Sequence, residues 1–244
     1  MSTMLDVYTT RARLWPALLV ALPLGLTTLA LLPGDFRGWD VLWSLIVFSG
    51  GTALLAEIGR DFGKKKELRL FHLWGGKPTT RMLRHRDAPD KTALKYWHSQ
   101  LEQLIPGLKL PTPEEEKRNP LEAEQLYARC IDFLRGQTRD KKKFPLVFEE
   151  NCNYGLRRNL WGMRPLGIAI SSLSVVAIGV VIAFNYFSEA LPPSPMEVAC
   201  GSVSLFLLLG WIILFTPKWV RIPAEAYAKR LLESCDSMRS RRNE

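Results

Sequence analysis

Residues 166–187 read LGIAISSLSVVAIGVVIAFNYF, twenty-two consecutive positions without a charge. An α-helix needs about 17–25 predominantly apolar residues to cross a hydrocarbon core of about 30 Å, so this stretch predicts a membrane-spanning helix. Working outward from it, three more runs have the same character: Leu14–Leu32, interrupted by Pro16 and Pro23, then Val41–Ile58 and Val198–Thr216. Glu57, at one end, is the single charge among them. The first run resembles a signal peptide in having Arg11 and Arg13 ahead of it. No A-x-A-type cleavage site follows, however, and a second span begins almost at once, which predicts a helical hairpin.

The charges between the runs set the expected orientation. Lys and Arg accumulate in cytoplasmic loops, while short external links carry few. The link Pro33–Asp40 holds only Arg37, and Ser188–Glu197 holds none. The segment Gly59–Pro165 carries 23 Lys and Arg against 14 Asp and Glu, a net of +9, and the tail from Pro217 carries seven against four. Both termini and the central segment are therefore expected on the cytoplasmic side of a bacterial inner membrane. Trp15, Trp39, Trp43, Trp161, Trp211, Trp219, Tyr154 and Tyr186 fall mostly near span ends, where amphipathic rings favour the interface. Small residues recur inside the spans: Ser49 to Ala53 in the second, Gly167, Ala169, Ser171, Ser172, Ser174 and Gly179 in the third, and Gly201, Ser202 and Ser204 in the fourth. They predict close helix packing within a bundle or an oligomer.

The fold class that follows is an all-α membrane protein. Two hairpins (residues 1–58 and 166–216) flank a small, basic, helical cytoplasmic domain (59–165), and a cytoplasmic tail (217–244) completes it. Within the domain, Leu94, Trp97, Leu101, Leu104 and Ile105 recur at helical spacing up to a Pro106-Gly107 stop. Thr112-Pro113-Glu114-Glu115 has capping-box form, with Glu114–Glu116 as a solvated helix start, and Asn119-Pro120 opens another helix. That helix shows Ala123, Leu126, Tyr127, Cys130 and Leu134 on one face, with Gly136 as its cap. In the tail, Pro223–Ser234 predicts a short amphipathic helix. Cys130, Cys152, Cys200 and Cys235 form no CxxC pair and have no His at ligand spacing, so free thiols are expected and no metal site or cofactor.

Candidate chemistry centres on LFHLWGGKPTTRMLRHRD at 70–87. Gly75 and Gly76 allow close backbone approach, and Lys77, Thr79, Thr80 and Arg81 offer donors. A loop of this kind could hold an anion or simply turn the chain. It is no Walker A loop, since Phe71 stands where the first Gly belongs and Pro78 replaces the Ser/Thr. Arg84 and Arg86 extend its charge. Two more basic clusters are Arg139 with Lys141, Lys142 and Lys143, and Arg157 and Arg158 near Arg164. Positive-inside topology with anionic lipid contact could place either cluster, and most readily the second, which lies just before the third span. His72, His85 and His98 have no partners in sequence for nucleophilic or acid–base work, and the chain does not read as an enzyme. Glu57 reads as an interfacial carboxylate paired with Arg60 or Lys64, the other possibility being a place on a permeation pathway.

The stretches LFHLWGGKPTTRMLRHRD (70–87), LPTPEEE (110–116) and KFPLVFEENCNYGLRRNLWGMRPLG (143–167) are similar to those of four-span bacterial membrane effectors of anti-phage defence. The architecture resembles the membrane effector of the Hailong type. The resemblance implies a homo-oligomeric ion channel held closed by DNA oligomers that a nucleotidyltransferase makes. The ligand contacts would then come from Lys77, Thr79, Thr80, Arg81, Arg84, Arg86, Lys141, Lys142, Lys143, Arg157 and Arg158. The alternative is a non-catalytic membrane scaffold whose basic domain docks a soluble partner.

Overall fold

Proline and small polar residues decide where the helices begin. The computed structural model describes residues 7–31, 38–88, 90–188 and 192–242, and of residues 38–49 and 240–242 the backbone only. Every described element is helical. They are α1 (Val7–Leu31), α2 (Gly38–Leu73), the single turn α3 (Pro78–Arg81), α4 (Lys91–Leu104), α5 (Pro113–Arg118), α6 (Pro120–Gln137), α7 (Pro145–Phe187), α8 (Pro195–Ile213) and α9 (Pro217–Arg242). Six of the nine start on proline, whose fixed φ and missing N–H suit the first helical turn. Among the described residues, α1, α7 and α8 are long and apolar enough to cross a membrane. The expected span 41–58 falls in α2, and its first half, like the whole 33–40 link with Arg37, lies outside the described side chains.

The helices form two compact units. One combines residues up to Glu67 with Gly155–Val220; the other combines Leu68–Tyr154 with Arg221–Glu244. Hydropathy places the borders elsewhere, at residues 58, 165 and 216. It marks where charges begin, whereas the borders of the fold mark where helices stop packing.

In the first unit, glycine carries three of the helix contacts. A Cβ on Gly162 of α7 would lie 2.6 Å from the Gly63 nitrogen of α2, and one on Gly59 would meet Met163. Gly155 lies against Tyr8 and Ala12 of α1. The Asn159 amide donates to the Ala12 carbonyl (2.7 Å), and the Lys66 ammonium to the Gly162 carbonyl (2.8 Å). On α8, the fully buried Trp211 lies against Gly167 and meets Phe215 in a tilted ring contact, with centroids 4.5 Å apart, beside Val20, Leu160 and Met163. Trp211 is thus a core residue and Trp161 nearly so, while Trp15 and Tyr186 are exposed as an interfacial belt requires. Pro23 interrupts α1, where the Thr27 and Thr28 hydroxyls donate to the Pro23 and Leu24 carbonyls. A π-helical turn, Thr10–Leu14, precedes Pro16.

In the second unit Thr112 and Glu115 close a capping box and Asn119 caps α6, as the sequence reads. Asp90 adds a cap at the start of α4, accepting from the Thr92 and Ala93 N–H groups. Gly136 does not end α6. The helix runs on to Gln137, and the Thr138 hydroxyl donates to the Leu134 carbonyl (2.8 Å). Leu83, Leu101, Tyr127, Cys130 and Leu134 pack with Leu231, Leu232 and Cys235 of α9. The tail is therefore part of this core, and the Tyr96 hydroxyl donates to Asp236 beside it.

Candidate anion-binding surface

The segment after α2 is built by a glycine pair. Gly75 and Gly76 adopt φ +76° and +132°, conformations that side chains rarely tolerate. Their N–H groups turn back to α2, with Gly75 donating to the His72 carbonyl (3.2 Å) and Gly76 to that of Phe71 (2.7 Å). This is a helix C-terminal stop of the kind glycine favours. Those N–H groups are spent on carbonyls of the chain, so any anion here would be met by side chains.

Arg84 holds the segment together. Its side chain is 8% exposed and donates from Nε to Glu124 (2.7 Å), and from Nη1 to the Gly75 carbonyl and to Asp87 (both 2.8 Å). A Cβ at Gly76 would strike the guanidinium, which explains the second glycine. The buried Thr80 hydroxyl donates to Glu124 (2.6 Å). Burial pushes the Glu124 carboxyl up, but the hydrogen bonds and charge of Arg84 and Thr80 outweigh it and hold the group below its ordinary value. Arg81 pairs loosely with Asp87 (3.9 Å). Lys77, Thr79 and Arg86 remain open to solvent in whole or part, Arg86 lying 3.8 Å from Asp87.

Lys141–Lys143 are exposed on a turn that Asp140 caps, accepting from the Lys142 N–H (2.9 Å), and Lys141 lies over the Phe148 ring. They follow α6, whereas the 74–87 segment is fastened to Glu124 near its start. At 1.5 Å per residue the two groups attach about 20 Å apart along that helix. The second unit as a whole carries 22 Lys and Arg against 16 Asp and Glu.

Arg157 and Arg158 lie in the first unit and act within it. Arg157 donates to the Trp219 carbonyl (3.0 Å) and stacks on that ring, and the buried Arg158 pairs with Glu67 (3.0 Å) and Asn159. Arg164 caps the end of α8, donating to the Trp211 (2.9 Å) and Ile212 (2.8 Å) carbonyls, where a cation complements the helix dipole. Glu57 accepts from Arg60 (3.1 Å), as its spacing suggests, and also from Arg13 (3.2 Å).

One polar cluster escapes a linear reading. His85 and His98 stack edge to face 5.0 Å apart, and His98 lies 5.8 Å from Tyr127. Far from being a solvated helix start, Glu116 is 4% exposed and accepts from the Tyr127 hydroxyl (2.7 Å) and the His85 N–H (2.7 Å). Burial above all raises the Tyr127 phenol, and it pushes the Cys130 and Cys235 thiols up to about 11 and about 12, leaving them poor nucleophiles. Of Glu116, His85 and Tyr127, only Tyr127 carries a sequence signal, lying on the apolar face of α6 with Ala123, Cys130 and Leu134.

Burial lowers His98 below its ordinary value of 6.5, against the hydrogen bond from its ring to the Leu83 carbonyl and with help from His85. The unfolded chain therefore takes up a proton near pH 6.5 that the folded unit refuses. Stability is unaffected above that pH and is lost as pH falls below it toward the depressed folded value. The thermal midpoint of the second unit should fall between pH 7 and 5.5, and His98→Gln should flatten the profile. Equal slopes for both proteins would disprove the assignment.

No protein-family model, characterised protein or solved structure matches the chain. What stands is an all-helical protein with at least three helices able to cross a membrane and a second, basic unit.

Proposed function

We propose that this chain is the subunit of an oligomeric channel or membrane-disrupting effector of bacterial anti-phage defence, held closed by an anionic DNA oligomer on its second unit. In this reading α2 supplies the fourth span, the termini and the basic unit face the cytoplasm, and the DNA oligomer comes from a partner nucleotidyltransferase. The observation that carries the reading is the division of labour among the basic side chains. Arg84 and Arg158 are buried on carboxylates of the chain, while Lys77, Arg86 and Lys141–Lys143 present charge to solvent on a unit of net positive charge. Phosphates neutralised by such groups release counterions, so affinity falls steeply with salt.

Two measurements test it. The purified protein in detergent should bind a single-stranded DNA oligomer. The variant Lys77→Gln/Lys141→Gln/Lys142→Gln/Lys143→Gln should weaken binding at least tenfold at low salt. It should also reduce the slope of log affinity against log salt by up to about 3, since each phosphate contact on a single strand contributes about 0.7. Its melting temperature should stay that of the wild type. In cells, expression of the protein alone should depolarise the membrane. Unchanged potential together with no oligomer binding would discard the proposal, and capture of a stable acidic protein partner in its place would favour a scaffold.

A further inference from the structure

α7 and α8 face each other along one stripe of each helix. Trp211 lies on Gly167, the Arg164 guanidinium reaches the Trp211 and Ile212 carbonyls, and a Cβ on Gly201 would lie 3.3 Å from Ile178. These contacts fix an antiparallel register. On α7 the contact residues 167 and 178 share a helical face with 171 and 174, at spacings of four, three and four. On α8 the contact residues 201 and 211 share a face with 204. Ser171, Ser174 and Ser204 therefore point into the seam between the two helices, and the register puts Ser174 level with Ser204.

All three serines are buried, at 0%, 2% and 0% exposure, and none of their hydroxyls has a hydrogen-bond partner among the described residues. The Trp211 indole N–H, at the Gly167 end of the same seam, is likewise buried and unpartnered. Four orphan polar groups in one seam run against the rule that buried polar groups are satisfied, the more so in helices able to cross a bilayer. Ordered water settles such a site where several polar groups converge, because one molecule makes two to four hydrogen bonds.

We propose that the α7–α8 seam is a water-bearing polar track, in which water bridges the hydroxyls of Ser171, Ser174 and Ser204 and the indole N–H of Trp211. The track runs from Trp211 up to Ile178, which is 1% exposed and closes it against Gly201. The eleven residues from Gly167 to Ile178 rise about 16 Å, about half of a hydrocarbon core. This inference stands apart from the channel reading: a track closed at Ile178 needs no current to exist.

Thiol labelling tests it directly. The cysteine thiolate attacks a methanethiosulfonate reagent, forming a mixed disulfide and releasing methanesulfinate, and that thiolate forms only where water reaches the sulfur. In vesicles holding full-length protein whose four native cysteines are replaced by alanine, Ser174→Cys and Ser204→Cys should be modified at least tenfold faster than Leu173→Cys, whose native side chain is 64% exposed on the outer face of α7. Rates equal to that control would overturn the track and leave the serines bonded to carbonyls of their own helices. If the substituted proteins do not fold, hydrogen exchange on the unmodified protein decides. Amides of residues 168–175 should exchange faster than those of 180–187, and equal protection would overturn the proposal. Labelling of Ser174→Cys and Ser204→Cys beside a wild type that never depolarises a membrane would remove the channel reading and support the track.

Discussion

Arg84→Ala should unfold the second unit rather than only weaken a ligand. The substitution strips three acceptors at once: the Glu124 carboxylate, the Asp87 carboxylate and the Gly75 carbonyl. Removing one partner of a buried ion pair costs about 3–5 kcal/mol. Here Asp87 and Glu124 keep some contact with water, at 28% and 34% exposure, which points to the lower end of that range. For a unit of this size about 3 kcal/mol corresponds to a drop in melting temperature of roughly 10 °C or more. Arg84→Lys should recover little, because one ammonium cannot reproduce the planar fork that reaches three acceptors. Thermal unfolding in detergent, followed by circular dichroism, gives the answer. If Arg84→Ala melted with the wild type, Arg84 would return to the pool of ligand-binding cations. The contrast with the lysine variant matters. Exposed Lys77 and Lys141–Lys143 should alter binding and leave melting alone, whereas Arg84→Ala should lower the melting temperature itself.

The second large effect is expected at Gly162. Glycine to alanine in a helix ordinarily stabilises by about 0.5–1 kcal/mol, since alanine loses less conformational freedom on folding. At Gly162 the added methyl would meet the Gly63 nitrogen at 2.6 Å, the Gly63 Cα at 2.8 Å and the Phe62 carbonyl carbon at 2.9 Å. All three are backbone atoms, so no rotamer change relieves the contact and α2 and α7 must part. Overpacking costs about 1–3 kcal/mol where side chains can yield, and more is expected against backbone. Gly162→Ala should therefore lose most of its folded yield in size-exclusion chromatography. Gly179→Ala and Gly210→Ala, with nothing within 4 Å, should express as well as the wild type or better. A Gly162→Ala protein with wild-type yield would mean that the two helices do not approach so closely.

The two sites also show how far local signals reach. The Gly75-Gly76 pair reads equally well as an anion-binding loop or as a turn. What separates the two is the destination of its N–H groups, the Phe71 and His72 carbonyls, together with an arginine eight residues on. Of the basic residues singled out by charge, those next to acids that only folding brings near, Glu124 for Arg84 and Glu67 for Arg158, became internal ties. Those on turns or before α3, such as Lys141–Lys143 and Lys77, kept their exposure, although Lys141 lies over Phe148 and Lys143 pairs with Asp140.

What the sequence determined by itself is whatever depends on neighbours in the chain. Charge-free runs long enough to cross a bilayer, prolines at helix starts, the capping residues Asp90, Thr112 and Asn119, and the concentration of positive charge between residues 59 and 165 all act over a few residues. Only the tertiary structure decided what depends on partners far along the chain. It put the tail's Leu231, Leu232 and Cys235 into the second unit's core, buried Glu116 against Tyr127 and His85, and spent Arg164 on the end of α8. It also turned Ser171, Ser174 and Ser204 inward. The physical reason is common to all of these. A charge or hydroxyl has the same local preferences whether water or a buried acceptor awaits it, and which one it meets is set by the helices that close over it.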